Sequence, residues 1–264
     1  MGAKPLSYTS MRSDAVVPLI DVHAHLTDPS FQDLSQVLCR ARAAGVKTII
    51  MSITDPAEFG RAREILSMAP GYLYLTVGFD PTDLSKERHT QFEKLVGLGG
   101  IVGVGEVGLD HFYVRDHSQR SVQGAFFRSS IRLAIKNDLP LVVHSRSAGH
   151  DALEVLYSEG AERVLMHAFD GKSGDALEAA KRGFFLSIPT SVVHSEQKQK
   201  LVRLLPLESL MLETDSPVLS PVRGEHNEPA NLIFAARKIS EIKRIELDEV
   251  ICTTTEKAKK LFRI

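Results

Sequence analysis

Two histidines one residue apart, His23 and His25 in Asp21-Val22-His23-Ala24-His25, are the first side chains in this sequence that could do chemistry. On a strand, residues i and i+2 share a face, so both imidazoles would point into one space, close enough to bind one metal ion. The plainer alternative is two polar residues at a strand end. A glutamate stands inside Gly103-Val104-Gly105-Glu106-Val107-Gly108-Leu109-Asp110. Burying a carboxylate in so apolar a run is costly without compensation. A cation would compensate it, and so would an ion pair with Arg146. Gly103, Gly105 and Gly108 point to close backbone approach at a crowded position.

Three more runs end in groups of the same kind. His144 follows Leu141-Val142-Val143, and His167 follows Val164-Leu165-Met166. Asp215 lies in Leu210-Met211-Leu212-Glu213-Thr214-Asp215-Ser216-Pro217, an acidic residue before a turn. For either histidine alone, an ordinary core residue is the commoner case. Four histidines and two carboxylates together exceed what one tetrahedral ion takes. They suit two ions sharing a bridging carboxylate.

The elements that must position these groups follow from the hydrophobic pattern. Eight short apolar runs, at residues 19–26, 48–53, 74–79, 101–109, 139–144, 163–169, 184–188 and 210–214, alternate with helical stretches. Several are apolar on both faces, as parallel strands under helices are. Helical period marks residues 30–44 and 118–137, the neighbourhoods of Leu153 and Leu201, and two segments within 231–262. The alternation predicts an α/β (β/α)₈ TIM barrel, in which the strand ends converge on the C-terminal face. An open doubly wound sheet is the alternative. It lacks support, because no Gly-rich dinucleotide fingerprint follows the first run and the reactive residues are spread over many strand ends. One domain is expected over residues 19–264, with a flexible N-terminal extension over 1–18.

Composition narrows the function. Lys+Arg is 32 and Asp+Glu is 33, a formal net charge of -1. That excludes gripping nucleic acid through bulk positive charge. Two cysteines, Cys39 and Cys252, exclude a disulfide scaffold and a Cys-rich structural zinc site. No apolar stretch suits a membrane span or a secretion signal, so an intracellular chain, cytoplasmic and/or nuclear, is expected. Arg146 near the barrel mouth and Arg223 in the loop after the eighth run are candidate contacts for substrate phosphates. Phe112 and Tyr113, just after Asp110, either stack on a terminal base or pack under their loop. His89, His117, His150 and His194 are expected to be solvated.

The motifs DVHAHL, GEVGLD, LPLVVHSR, MHAFDG, LETDSP and RGEHNEP, in this order and spacing, together resemble those of the TatD-like metal-dependent deoxyribonuclease family of the amidohydrolase-like barrels. The resemblance runs from about residue 20 to the C-terminus. It implies that His23 and His25 hold one metal ion, that Glu106 bridges two, and that His144 and His167 hold the second. Asp215 would be a ligand, or the base that orients water, on the first. The implied activity is two-metal hydrolysis of DNA phosphodiester bonds, as a 3′-to-5′ exonuclease, with Asp215 and Glu106 as its catalytic carboxylates. The mixed imidazole and carboxylate set suits zinc, manganese or magnesium. The partner would be DNA held by few phosphate contacts, with no membrane and no obligate protein partner. The competing readings are a metal-dependent hydrolase of a small ester, amide or phosphoester, and a non-catalytic binding protein on an inherited barrel. One departure stands out: many members carry G-x-H-P after the third strand, where this chain has Gly78-Phe79-Asp80-Pro81.

Overall fold

A computed structural model describes residues 18–264. The expected extension over 1–18 lies, but for Pro18, outside the described residues. The Pro18 carbonyl accepts a hydrogen bond from Thr255 Oγ1 at 2.6 Å.

All eight expected runs overlap a strand: β1 (Leu19–Ala24), β2 (Val46–Ile53), β3 (Leu73–Val77), β4 (Gly103–Gly108), β5 (Leu141–His144), β6 (Val164–Met166), β7 (Phe185–Pro189) and β8 (Leu210–Glu213). They pair in parallel in sequence order. The last meets the first: Asp215 N–H donates to the His23 carbonyl (3.0 Å) and His25 N–H to the Ser216 carbonyl (2.8 Å). These bonds close the ring, so the chain forms the barrel and not the open sheet.

Parallel neighbours require a crossover between them, and helices supply it. They are α1 (Leu34–Ala43), α2 (Phe59–Met68), α3 (Lys86–Gly97), α4 (His117–Lys136), α5 (Gly149–Ser158), α6 (Ser173–Lys181) and α7 (Glu196–Leu204), while α8 (Leu232–Lys243) and α9 (Leu247–Phe262) follow β8. The larger apolar cluster joins helix residues such as Leu38, Ile65, Phe92, Phe127, Leu156 and Leu201 to the strands. A smaller one seats Ala258, Leu261 and Phe262 of α9 against Ile20, Ile50, Val142, Leu165 and Met211. No helix among the described residues is long and apolar enough to cross a membrane.

His89 departs from its expected solvation. It is buried with Phe92 and Val96 on the inner face of α3, and its ring stacks on Phe126 with centroids 4.3 Å apart. A neutral imidazole here takes the place of an apolar side chain, and burial lowers its pKa. His194 is half-buried, with Nε2 3.0 Å from the Ser220 carbonyl. His117 and His150 are exposed, as expected.

The glycines around β4 let backbones touch. A Cβ on Gly105 would come within 2.5 Å of Val142, and one on Gly108 within 2.0 Å of the His144 carbonyl oxygen. Gly78, after β3, is tightest against the reactive strand: its Cβ would lie 2.1 Å from Glu106 O and 2.2 Å from Glu106 N. Gly78→Ala therefore forces β3 and β4 apart at Glu106. Overpacking of this kind costs about 1–3 kcal/mol, so Tm should fall by about 2–10 °C in thermal denaturation. Gly124→Ala, on α4 with nothing within 4 Å of the new methyl, should instead stabilise by about 0.5–1 kcal/mol. Equal Tm changes for the two variants would refute this account.

Candidate metal centre

The C-terminal strand ends bring His23, His25, Glu106, His144, His167 and Asp215 into one cluster. They fall into three overlapping groups of potential ligands: His23, His25 and Glu106; Glu106, His144 and His167; and His23, His167 and Asp215. Within each, the ligand atoms lie within 4.8 Å of one another. His23 Nε2 is 3.1 Å from His25 Nε2, 3.3 Å from Glu106 Oε2 and 3.7 Å from Asp215 Oδ1. His25 Nε2 is 3.6 Å from Glu106 Oε2 and 3.4 Å from Asp215 Oδ1. Glu106 Oε1 turns the other way, to His144 Nδ1 and, at 3.9 Å, to His167 Nε2. Glu106 thus stands between two sets of imidazoles with one oxygen on each side.

This donor set fits divalent cations. Among the described residues, no lysine or arginine nitrogen lies within 4.0 Å of a Glu106 or Asp215 carboxylate oxygen. The Glu106–Arg146 ion pair that would neutralise the buried carboxylate does not form. Arg146 stacks instead over the rings of Phe112 (4.6 Å) and Tyr113 (5.1 Å).

Outer carboxylates aim two of the imidazoles. Asp110 Oδ2 lies 3.0 Å from His144 Nε2 and leaves Nδ1 to Glu106. Asp110 Oδ1 accepts from the backbone N–H groups of Phe112 (2.9 Å) and Tyr113 (2.8 Å), which pins the following loop. Glu213 Oε2 lies 2.7 Å from His167 Nδ1, and Oε1 accepts from Ala168 N–H at 3.0 Å. A carboxylate on the far nitrogen fixes an imidazole's tautomer and orientation, as in metal sites generally. Asp21 acts on the backbone: its Oδ1 accepts from Thr214 N–H at 2.9 Å and its Oδ2 from Thr214 Oγ1 at 2.6 Å, next to Asp215. Asp215 itself has φ 54° and Ala168 φ 38°. Such left-handed conformations cost non-glycine residues about 1–3 kcal/mol and gather at functional sites.

Asp110, Glu213 and Asp21 were not singled out as site residues from sequence, although each is an acidic residue in or beside an apolar strand. The signal was the same as for Glu106, a charge where burial is expensive. Their partners are other side chains of the site, and that pairing appears only in three dimensions.

A cavity of about 410 Å³ opens over the cluster, lined by His25, Glu106, Asp110, His144, Tyr113 and Arg146 among others. Phe112 and Tyr113 are 43% and 63% exposed and do not pack under their loop. Asp80, at the position of the missing histidine, also lines the cavity; its Oδ1 accepts from Thr82 N–H and Oγ1 at 2.7 and 2.8 Å. Arg223 is not among the lining residues; its guanidinium donates to the His194 carbonyl at 3.3 Å.

Burial opposes charge throughout the cluster, and the neighbours decide the outcome. Burial pushes Glu106 up, but the imidazoles of His144 and His167 and its hydrogen bonds to His144 and His23 hold it well below the usual carboxylate range. His144 is lowered by burial, yet Glu106 and Asp110 lift it to about 10. Burial also opposes a charged His167, which Glu213, Asp215 and Glu106 raise to about 9. His23, fully enclosed and beside His167, is pushed down.

The model of the TatD related DNase family matches residues 20–263. Deoxyribonuclease TATDN3 of Homo sapiens is 37% identical over 262 residues, covering 94% of this chain and 96% of that protein. The uncharacterized metal-dependent hydrolase YabD of Bacillus subtilis is 35% identical over 256 residues, covering 93% and 99%. Among solved structures, the TatD homolog YJJV of Escherichia coli superposes with a TM-score of 0.86 at 27% identity, covering 94% of this chain and 99% of that one.

The protonation pattern yields a measurable consequence. Without metal, His144 and His167 carry protons at neutral pH, and a divalent ion must expel them. Apparent affinity for zinc or manganese should therefore climb from pH 6.5 towards 9, with protons released on binding by His144, His167 and His25, whose pKa Asp215 and Glu106 also raise. Calorimetry in buffers of different ionisation enthalpy reads that release, and proton-free, pH-independent binding would contradict it. Because the folded pKa values of His144 and His167 are raised above 6.5, the stabilisation they give the metal-free chain is complete below pH 6.5. It is lost as pH rises through about 9 and 10, so the Tm of the metal-free chain should drop over that window.

Proposed function

As the chain belongs to the TatD related DNase family, whose relatives are named deoxyribonucleases and metal-dependent hydrolases, we propose that it hydrolyses DNA phosphodiester bonds from the 3′ end, using two divalent ions. The observation that carries this reading is the placement of Glu106, with one carboxylate oxygen facing His23 and His25 and the other facing His144 and His167. His23, His25 and Asp215 would hold one ion, His144 and His167 the other, and Glu106 would bridge them. Bound there, divalent ions act as Lewis acids, lowering the pKa of water and drawing charge off phosphoryl oxygens.

The chain's own residues do the rest. Asp215 Oδ1, among His25, His23 and His167, orients the attacking water and accepts its proton. The water oxygen forms the new bond to phosphorus as the bond to the departing sugar oxygen breaks. Its neighbours hold Asp215 below the usual carboxylate range despite burial, so it starts ionised. Arg146, fixed by its aromatic stacking, meets a non-bridging or neighbouring phosphate at the cavity wall. Arg223 lies further out and would reach only a phosphate beyond the cavity. With a formal net charge of -1, the chain adds little attraction beyond these contacts, and DNA binding should depend only modestly on salt.

End-labelled DNA incubated with the purified protein should shorten from its 3′ end, and a chelator should stop the reaction. Glu106→Ala should cost more than the ~10–100-fold typical of losses outside the ligand shell, with circular dichroism unchanged. Near-normal turnover of that variant in metal-replete buffer would refute the bridging role. The double change His23→Ala, His25→Ala should lower bound metal by about one ion per chain. Elemental analysis giving unaltered stoichiometry would remove this pair from the ligand set.

A further inference from the structure

Among the described residues, Lys198 on α7 is the only lysine or arginine that is buried, at 7% exposure. Burying an ammonium group needs compensation. Here it comes from two backbone carbonyls: Nζ donates to Ala168 O at 2.6 Å and to Phe169 O at 2.7 Å. The neighbouring Gln197 Nε2 adds longer bonds to Phe169 O and Gly171 O, both 3.3 Å. The turn they hold begins immediately after His167 and passes through Ala168 in a left-handed conformation, φ 38°. That conformation directs Ala168 N–H at Glu213 Oε1 (3.0 Å), while Glu213 Oε2 meets His167 Nδ1 (2.7 Å). His167 Nε2 is then left 3.7 Å from Asp215 Oδ1 and 3.9 Å from Glu106 Oε1.

We propose that Lys198 is a positioning residue for the metal centre: its ammonium clamps the turn after β6 in the strained shape that lets Glu213 aim His167. The inference rests on the metal reading of the cluster. A methionine would fill the same space without the charge, yet it would leave the Ala168 carbonyl unpaired and Phe169 O with only its longer bond from Gln197, and the turn free to relax. The lysine also sets a positive charge near Asp170, Glu213 and Asp215.

Competition for Zn²⁺ against a chromophoric chelator, with thermal denaturation beside it, tests the clamp. Lys198→Met should bind zinc about tenfold or more weakly than the unaltered chain, the scale of losses outside the ligand shell. On end-labelled DNA it should lower kcat with KM unchanged. Leu201→Ala, a core truncation on the same helix, should lower Tm and leave zinc affinity unaltered, which separates positioning from general destabilisation. Lys198→Gln, retaining an amide donor, should fall between Lys198→Met and the unaltered chain, and it decides the matter by the same measurement if Lys198→Met does not fold. Zinc affinity equal to that of the unaltered chain in the deciding variant overturns the inference. An unaltered chain that takes up no zinc overturns the metal reading itself, and the inference with it.

Discussion

The site depends on one ionised carboxylate enclosed among imidazoles. Glu106 is buried in a glycine-rich strand and paired on both sides. A charge in that place is tolerable only if everything around it is arranged for it. The demands spread outward from there. Gly78 and Gly108 let neighbouring backbones close in on β4. Parallel strands in sequence order deliver five separate strand ends to one face. Asp110 and Glu213 aim the imidazoles that meet the buried oxygen.

The loops around the cluster are tied to one another as well as to the strands. Thr27 Oγ1 donates to Glu58 Oε1 at 2.7 Å, and Glu58 Oε2 accepts from Asp55 N–H at 3.2 Å, joining the loops that follow β1 and β2. Arg40 of α1 grips Glu228 with Nε and its terminal nitrogen, at 2.6–3.0 Å, which anchors the loop after β8. Asn227 in that loop is fully buried and donates to the Thr214 and Val218 carbonyls, both at 2.8 Å. Such a rim holds the cluster's geometry through many small bonds, consistent with a site whose donors need to be in place before a substrate arrives.

The barrel was readable in the sequence because its strands are short β-branched runs, buried on both faces. Six of the nine helices among the described residues carried enough large apolar residues to show their period. The other three did not, for physical reasons. The inner face of α6 is built from Ala176 and Ala179. That of α2 has Ala62 and Ile65. On α3 an imidazole, His89, completes a stripe that hydrophobicity alone does not register. At the site, residues marked by chemistry at strand ends came together. Asp21, Asp110, Glu213 and Lys198 escaped notice because their role is to hold another residue, and sequence spacing does not record such pairing. Arg146 was legible as a cationic group near the mouth, but its stacking on two exposed aromatic rings was not.

The seam that closes the barrel runs through the reactive cluster. Asp215 N–H bonds to the His23 carbonyl, and His25 N–H to the Ser216 carbonyl, so the earliest and latest donors in the chain are neighbours at that seam. During synthesis, a ribosome-bound chain whose last strand has not emerged holds the histidines of β1 without the acidic partner that completes them. The cluster is thereby completed only after β8 has been made, so closing the ring and bringing the last carboxylate to the histidines are one folding event.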